Sequence, residues 1–212
     1  MDFQAFLEHI EPLKTVSLPG ELAHELMMPP ERRGLMQKID WEQVKPRQAA
    51  VMMLFYPKND LTHLVLIQRN VYQGVHSAQI AFPGGKVEPT DANLAETALR
   101  ETHEEIGVVS DSINVVRPFS QVYIPPSNFM VAPFLGLSYE PLAFFPDPAE
   151  VSGIIELPLQ ELLSDASPVV QSMDTSYSQS IDVPSFHLQG HFVWGATAMM
   201  LSELRETLKK LL

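Results

Sequence analysis

Three glutamates in the segment LRETHEEIG have the spacing of one helix face. Glu101, Glu104 and Glu105 stand at positions i, i+3 and i+4, so a helix of about 3.6 residues per turn projects all three from one side. Like charges at this spacing repel each other by roughly 0.2–0.5 kcal/mol per pair. The cluster therefore favours a counter-charge, and a hard divalent cation that prefers oxygen ligands, such as Mg²⁺, meets that need.

The residues on either side of the acids indicate how they are held. Asn93 and Glu96 have the spacing of a capping box, and Gly107 suits the left-handed position after a helix, so a helix is predicted over about 93–106. Three acids alone are typical of a solvated helix face. The preceding FPGG segment favours a metal site instead, because paired glycines allow the carbonyl of Gly85 to approach a cation held by the helix.

Alternating apolar runs and helical stripes predict the elements that position this helix. Two strands, joined by a tight turn as a hairpin, are predicted at 49–56 and 62–69. Further strands are predicted near 113–117, 119–123, 130–138 and 153–158, and helices at 159–163 and 199–212. The irregular order of strands and helices indicates the α+β class, and a chain of 212 residues is consistent with a single domain.

The remaining stretches carry weaker patterns. Apolar residues at helical spacing predict an N-terminal helix over 2–11, ended by Pro12. The basic pair Arg32 and Arg33 is expected on a solvated surface. The Ser-rich stretch 164–190 supports no assignment.

Composition excludes several classes of function. The chain has 14 Lys+Arg against 26 Asp+Glu, and its net charge of −12 disfavours a nucleic-acid polymer or an anionic membrane as partner. It has no Cys, which excludes disulfides, thiolate chemistry and Cys-based zinc sites. The first residues lack a basic region followed by an apolar one, and no apolar run approaches the ~20 residues of a membrane helix. We therefore expect a cytoplasmic protein.

The segment from Gly85 to Gly107 resembles the Nudix box, G-x5-E-x7-R-E-U-x-E-E-x-G-U with U aliphatic. The matching positions are Gly85, Arg100, Glu101, Glu104, Glu105, Gly107 and Val108. Thr102 replaces an aliphatic residue, and one extra residue lies before Arg100. The first acidic position holds no Glu, so Asp91 or Glu88 must take its place.

This resemblance implies a Nudix fold, in which a mixed β-sheet is sandwiched between α-helices. It would form one Nudix hydrolase domain over 1–212, with an N-terminal helical extension at 1–45 and a catalytic core at 46–212. By the same resemblance, Mg²⁺ or Mn²⁺ would be held by Gly85, Glu101, Glu104 and Glu105. Arg100 would orient the carboxylates, and either Glu104 or Glu150 would serve as catalytic base.

The segment AQIAFPGGKVEPTD further resembles the CoA pyrophosphatase branch of the family. Upstream, that branch carries L-x-x-R-S-x3-R-x-H-x-G-Q, which Arg69, His76 and Gln79 match and Asn70, Gly74 and Ala78 do not. The resemblance implies cleavage of CoA or acyl-CoA to 3′,5′-ADP and 4′-phosphopantetheine.

The departures keep two alternatives open. One is hydrolysis of another nucleoside diphosphate derivative, such as ADP-ribose, NADH or a dinucleoside polyphosphate, and the other is a Nudix-fold binding module without turnover. Arg69, His76, Gln79 and Lys86 are the expected substrate contacts, and the expected assembly is a monomer or homodimer. Trp194 and the pair Phe144-Phe145 are expected in the core, with stacking on an adenine as the alternative.

Overall fold

The predicted hairpin lies at the centre of a mixed sheet. The structure, a computed structural model, describes residues 1–70, 79–173 and 181–212. Within them the main sheet comprises β1 (Arg47–Lys58), β2 (Leu61–Arg69), β3 (Ile80–Ala81), β4 (Gly84–Lys86), β5 (Asn114–Pro118), β6 (Val122–Ile124), β7 (Phe129–Leu137) and β8 (Val151–Pro158). The order β3-β2-β1-β7-β5 forms its main path, while β4 pairs with β1, β6 with β7 and β8 with β2.

The turn between β1 and β2 explains the hairpin's tight connection. Asn59 and Asp60 have φ values of 50° and 62°, and two successive left-handed residues match the right-handed twist of the flanking strands. On its other side β1 runs parallel to β7, with Ala49 opposite Val131. This parallel pair makes the sheet mixed.

Strand β1 is buried on both faces, which accounts for its unbroken apolar run. Met53 and Phe55 belong to the hydrophobic core on one face of the sheet. Met52 and Leu54 belong to the core on the other face. Because successive side chains of a strand point to opposite faces, a strand between two helical layers reads as continuously apolar.

Helices cover both faces of the sheet. In chain order they are α1 (Phe3–Leu7), α2 (Ile10–Thr15), α3 (Glu21–Leu26), α4 (Pro30–Met36), α5 (Leu94–Ile106), α6 (Leu159–Leu163) and α7 (Gly195–Lys209). Helix α5 contributes Ala98 and Ile106 to one core, and α7 contributes Leu201 and Leu204 to the other. The predicted fold class, a mixed sheet between helices, is confirmed.

Two stretches differ from the sequence-based expectation. Pro12 does not end the N-terminal helix: the break falls at residues 8 and 9, and Pro12 lies in the first turn of α2, where a missing N–H costs no helical hydrogen bond. The unassigned stretch 164–190 contributes strands to a smaller antiparallel sheet. Its order is β11-β10-β9, with β9 (Pro168–Met173), β10 (Ile181–Leu188) and β11 (His191–Trp194).

A buried carboxylate links α3 to α7. Glu203 of α7 is fully buried and accepts hydrogen bonds from the backbone N–H groups of Gly20 and Ser120, both at 3.1 Å. It also accepts the Ser120 hydroxyl at 2.5 Å and lies 3.2 Å from Nε2 of His24. These contacts hold the pKa of Glu203 below its ordinary value against the opposing effect of burial, the largest single influence on it.

Every helix in the described part of the chain is too short or too polar to cross a membrane.

Candidate active site

Helix α5 begins and ends where the sequence predicts. The Asn93 side chain accepts the backbone N–H groups of Ala95 at 2.9 Å and Glu96 at 3.1 Å, and Gly107 closes the helix with φ 73°. Thr102 stands at an aliphatic position of the Nudix box and is buried. Its hydroxyl donates to the carbonyl of Ala98 at 2.6 Å, which satisfies the polar group inside the core.

Glu105 is the buried acid of the cluster, with 2% of its surface exposed. One carboxylate oxygen accepts the backbone N–H of Gly84 at 2.8 Å, and the other accepts Nη1 of Arg69 at 3.0 Å. Burial raises the pKa of Glu105 to about 7, although the bonds from Gly84 and Arg69 oppose it; the charges of Glu101 and Glu150 add to the rise. The site therefore holds a carboxylate poised for a cation.

Glu101 lies directly against the glycine loop. A Cβ placed on Gly85 would come within 2.5 Å of the Glu101 carboxylate, so only glycine leaves room for that group. The pKa of Glu101 is raised chiefly by burial, partly offset by Arg100, and raised further by the charges of Glu104 and Glu150. Loop and helix thus bring backbone and carboxylate oxygens to one place.

Arg100 ties the acids to the loop. Its Nε and Nη2 donate to the two oxygens of Asp91 at 2.9 and 3.0 Å, while Nη1 donates to Glu101 at 3.0 Å and Glu104 at 2.8 Å. Nη2 also donates to the carbonyl of Lys86 at 3.0 Å. The planar guanidinium fork is suited to this bidentate contact, and a Lys side chain is not.

Asp91, not Glu88, makes the acidic contact that the Nudix box assigns to its first Glu position. Besides Arg100, the Asp91 carboxylate accepts the Thr97 hydroxyl at 2.8 Å and the backbone N–H of Glu88 at 2.9 Å. The Arg100 guanidinium holds the pKa of Asp91 well below its usual range. The Glu88 side chain is exposed.

The donors around Gly85 suit a hard divalent cation. Glu101, Glu104 and Glu105 offer carboxylate oxygens, the ligand type of Mg²⁺ and Mn²⁺, and the absence of a Cβ on Gly85 preserves the space beside Glu101. In the described ranges no three His, Asp or Glu side chains already converge as a metal site. Arg100 occupies Glu101 and Glu104 instead, so binding would exchange part of that contact for the cation.

A cavity of about 340 Å³ borders the same glycines. It lies beside β1, β4 and β7 and reaches α4 and the start of α7; its walls include Val51, Gly84, Gly85, Val131 and Thr197. Gly84 and Gly85 therefore belong both to the acidic cluster and to the cavity.

The cavity is lined by cations in an acidic chain. Arg32, Arg69 and Lys86 contribute to its wall, and the described lining residues include no Asp or Glu. Because low-dielectric walls of one charge sign focus the local field, this lining favours an anionic ligand despite a net charge of −12.

The structure brings together most of the residues that the sequence marked as substrate contacts. Arg69, Gln79 and Lys86 line the cavity, while His76 lies outside the described residues. Glu150 is exposed, and its charge raises the pKa of both Glu101 and Glu105.

Sequence reasoning missed Arg32. The expectation of a solvated surface is wrong for this residue, which is 3% exposed, donates through Nη2 to the carbonyl of Tyr123 and lines the cavity. Tyr123 is 91 positions away, and no local sequence signal reports such a contact. Arg33, beside it, is exposed as expected.

The aromatic residues divide differently from the expectation of core packing. Phe144 packs edge-on against Tyr56, with ring centroids 5.4 Å apart. Phe145 is 71% exposed, so a core position is wrong for it. Trp194 is half-buried and lines the cavity, which places it at the site and not in the core.

The fold and the glycine-acid loop define a Nudix protein, and comparison with known proteins agrees. A family model of the NUDIX domain matches residues 45–177, and the chain belongs to the Nudix family. Members of this family hydrolyse phosphoric anhydrides in nucleoside diphosphate derivatives, generally with divalent ions such as Mg²⁺.

Two curated relatives bear the name "Uncharacterized Nudix hydrolase NudL". The protein of Photorhabdus laumondii is 34% identical over 161 residues, which cover 76% of this chain and 84% of the relative. The protein of Pectobacterium atrosepticum is 31% identical over 184 residues, which cover 85% and 88%. These relatives place the chain within the Nudix hydrolases.

Two solved structures share the fold at low sequence identity. The Nudix hydrolase RenU of M. smegmatis superposes with a TM-score of 0.54 at 16% identity and covers 79% of this chain and 88% of its own. The MutT protein of Methanosarcina mazei gives a TM-score of 0.50 at 19% identity and covers 78% and 97%. Both confirm the Nudix fold.

Proposed function

We propose that this Nudix hydrolase cleaves the diphosphate of CoA or acyl-CoA to 3′,5′-ADP and 4′-phosphopantetheine. The observation that carries the proposal is the cation-lined cavity that ends on Gly84 and Gly85, beside buried Glu105. Arg69 and Gln79, two residues of the upstream motif typical of the CoA branch, line that same cavity. The motif and the catalytic loop are thus parts of one site.

The acids and the glycine loop form the proposed reaction centre. Glu101, Glu104, Glu105 and the carbonyl of Gly85 would hold one or more Mg²⁺ or Mn²⁺ ions. When bound, such an ion neutralises phosphoryl oxygens and lowers the pKa of the attacking water. Arg100 keeps Glu101 and Glu104 on the loop side of α5 through its contacts at 3.0 and 2.8 Å.

Proton removal from the attacking water is assigned to Glu104, with Glu150 as the alternative. The Glu104 side chain is 56% exposed and is held at one oxygen by Arg100, which leaves it accessible beside the buried acids. Glu150 lies on the loop before β8, and its charge influences both Glu101 and Glu105. The cations of Arg69 and Lys86 would contact the phosphates of the substrate.

Charge favours CoA over the other candidates. CoA carries a phosphomonoester in addition to its diphosphate, whereas ADP-ribose and NADH carry the diphosphate alone, and the wall cations Arg32, Arg69 and Lys86 match the more anionic ligand. Hydrolysis of ADP-ribose, NADH or a dinucleoside polyphosphate remains the second candidate because Asn70, Gly74 and Ala78 depart from the CoA motif. Asn70 is used locally, its amide donating to the carbonyl of Pro148 at 2.8 Å.

A non-catalytic binding module is disfavoured by the residues themselves. Glu101, Glu104 and Glu105 are all retained, and Arg100 contacts two of them. A module without turnover has no need of a charged residue as deeply buried as Glu105, because burying a carboxylate costs folding free energy.

A substrate panel separates these functions. Initial rates with Mg²⁺ would be measured for CoA, acetyl-CoA, ADP-ribose, NADH and a dinucleoside polyphosphate, each over a range of concentrations. We expect the highest kcat/KM for CoA or acetyl-CoA. A kcat/KM for ADP-ribose roughly a hundredfold above that for CoA, equivalent to about 2.7 kcal/mol in transition-state binding, would reject the CoA assignment, and no turnover of any compound would favour the binding module.

A further inference from the structure

We propose that Arg32 recognises a phosphate on the ribose of the substrate and so selects for 3′-phosphorylated nucleotides. This inference deepens the proposed function and rests on it for the identity of the substrate. It assigns a specificity role to a residue of the N-terminal extension, outside the segment 45–177 that the NUDIX family model matches.

Arg32 lies at the end of the cavity remote from the acids. Its guanidinium donates to the carbonyl of Tyr123 on β6, and strand pairing leads from there to the catalytic loop: Val122 lies opposite Val131, Val131 beside Ala49, and Ala49 opposite Lys86. Three strand spacings of about 4.8 Å separate β6 from β4, or roughly 14 Å. That span is the length of a nucleotide and not that of a diphosphate alone.

The cations at the near end already have places beside the reaction centre. Arg69 is bonded to Glu105 at 3.0 Å, and Lys86 follows Gly85 on β4. Between them and Arg32 the cavity wall is apolar, with Ala49, Val51 and Val131. A ligand whose diphosphate lies at Gly85 therefore meets a second positive charge only at Arg32.

Burial makes Arg32 suited to a phosphomonoester. The side chain is 3% exposed yet contributes to the cavity wall, so its charge acts where water screens it least. The bond to Tyr123 fixes the guanidinium, and a fixed planar fork binds phosphate oxygens in pairs at small entropic cost. Tyr123 is itself held, because its ring packs edge-on against Trp41 with centroids 5.3 Å apart.

Binding of product-like nucleotides, measured calorimetrically in EDTA, tests the proposal without turnover. The probes are 3′,5′-ADP, AMP and 5′-ADP; the last carries as many phosphates as the first but none at the 3′ position. We expect the wild type to bind 3′,5′-ADP at least about tenfold more tightly than AMP or 5′-ADP, as a charge-assisted bidentate contact would give. Arg32→Gln should abolish that preference and leave AMP binding within about twofold.

Two variants serve as controls. Arg33→Gln makes the same change at the exposed neighbour and should bind like the wild type, while Arg32→Lys should keep part of the preference because the charge remains. The proposal is overturned if the wild type shows no preference, if Arg32→Gln retains it, or if Arg32→Gln weakens all three nucleotides equally. A wild type that prefers 3′,5′-ADP but leaves CoA uncleaved would refute the proposed function and support this inference.

Discussion

The carboxylate of Glu101 occupies the space that a side chain at position 85 would need. An ideal Cβ on Gly85 would lie 2.5 Å from its carboxylate atoms, far inside van der Waals contact. The positive φ of this loop belongs to Gly84, at 152°. The requirement for glycine at position 85 therefore comes from Glu101 and not from the backbone.

Gly85→Ala should impair activity while the protein stays folded. The new methyl group displaces the Glu101 carboxylate, and a displacement of about 1 Å in a catalytic group costs roughly 10²-fold in rate. Activity and thermal unfolding would be measured in parallel. Gly153→Ala is the matched control, because the nearest atom to its added Cβ is a Gln68 side-chain atom at an ordinary 3.6 Å; equal activity in the two variants would contradict the account.

Glu105→Gln should remove most activity, by about 10²- to 10³-fold, because it deletes the buried charge proposed to hold the cation. The folded structure should persist, since the amide oxygen can still accept the N–H of Gly84. Glu96→Gln makes the same change at an exposed position in the first turn of the same helix and should leave kcat unchanged. Retained turnover in Glu105→Gln would refute the ligand assignment.

The same substitution has a pH-dependent effect on stability in EDTA. Because the folded pKa of Glu105 is raised from 4.5 to about 7, its contribution to stability is fully present below pH 4.5 and is lost as the pH rises through 7. Glu105→Gln should match the wild type at pH 5 and exceed it at pH 8, by roughly 2 kcal/mol in the free energy of unfolding. Urea denaturation at both pH values measures the difference, and a constant difference would speak against a buried ionising carboxylate.

Asp91→Asn should weaken both activity and stability. The substitution removes the charge that receives Nε and Nη2 of Arg100, at a cost of about 1–2 kcal/mol in unfolding free energy. Misplacement of Arg100 should also lower kcat/KM by about 10- to 100-fold, as outer residues of metal sites do. Glu88→Gln is the control, and a larger effect there would show that Glu88 serves as the first acid of the box.

Glu203→Gln should loosen the N-terminal helices. Its carboxylate accepts hydrogen bonds from Gly20 and Ser120, so the variant should lose about 2 kcal/mol of unfolding free energy at pH 7. The folded pKa of Glu203 is lowered, so this stability is present above its ordinary pKa and is lost as the pH falls through the lowered value. The gap between variant and wild type, followed by urea denaturation, should narrow in strong acid; Glu206→Gln on the same helix should change little at either pH.

The sequence could predict those parts of the molecule whose causes are local. The capped helix from Asn93 to Gly107 and the hairpin around Asn59 and Asp60 depend on residues a few positions apart, and both appear in the structure. The stripe of acids on α5 likewise follows from helical periodicity alone. The choice between Asp91 and Glu88 needed the structure, because only the fold shows which carboxylate meets Arg100.

Features made by distant contacts could not be predicted in this way. Arg32 is buried because the N-terminal segment packs beside β6, and Glu203 gains its partners from segments 83 and 183 positions away. Trp194 lies at the cavity because β11 delivers it to the start of α7. None of these contacts leaves a periodic or spacing signal in the sequence around the residue.

The most direct test of the central claim is the product analysis of one reaction. Wild-type protein, CoA and Mg²⁺ would be incubated and the nucleotides separated by chromatography, with EDTA and Glu105→Gln as parallel controls. We predict equimolar 3′,5′-ADP and 4′-phosphopantetheine from the wild type with Mg²⁺, and neither product in the two controls. Intact CoA under conditions in which the same enzyme consumes ADP-ribose would contradict the assignment.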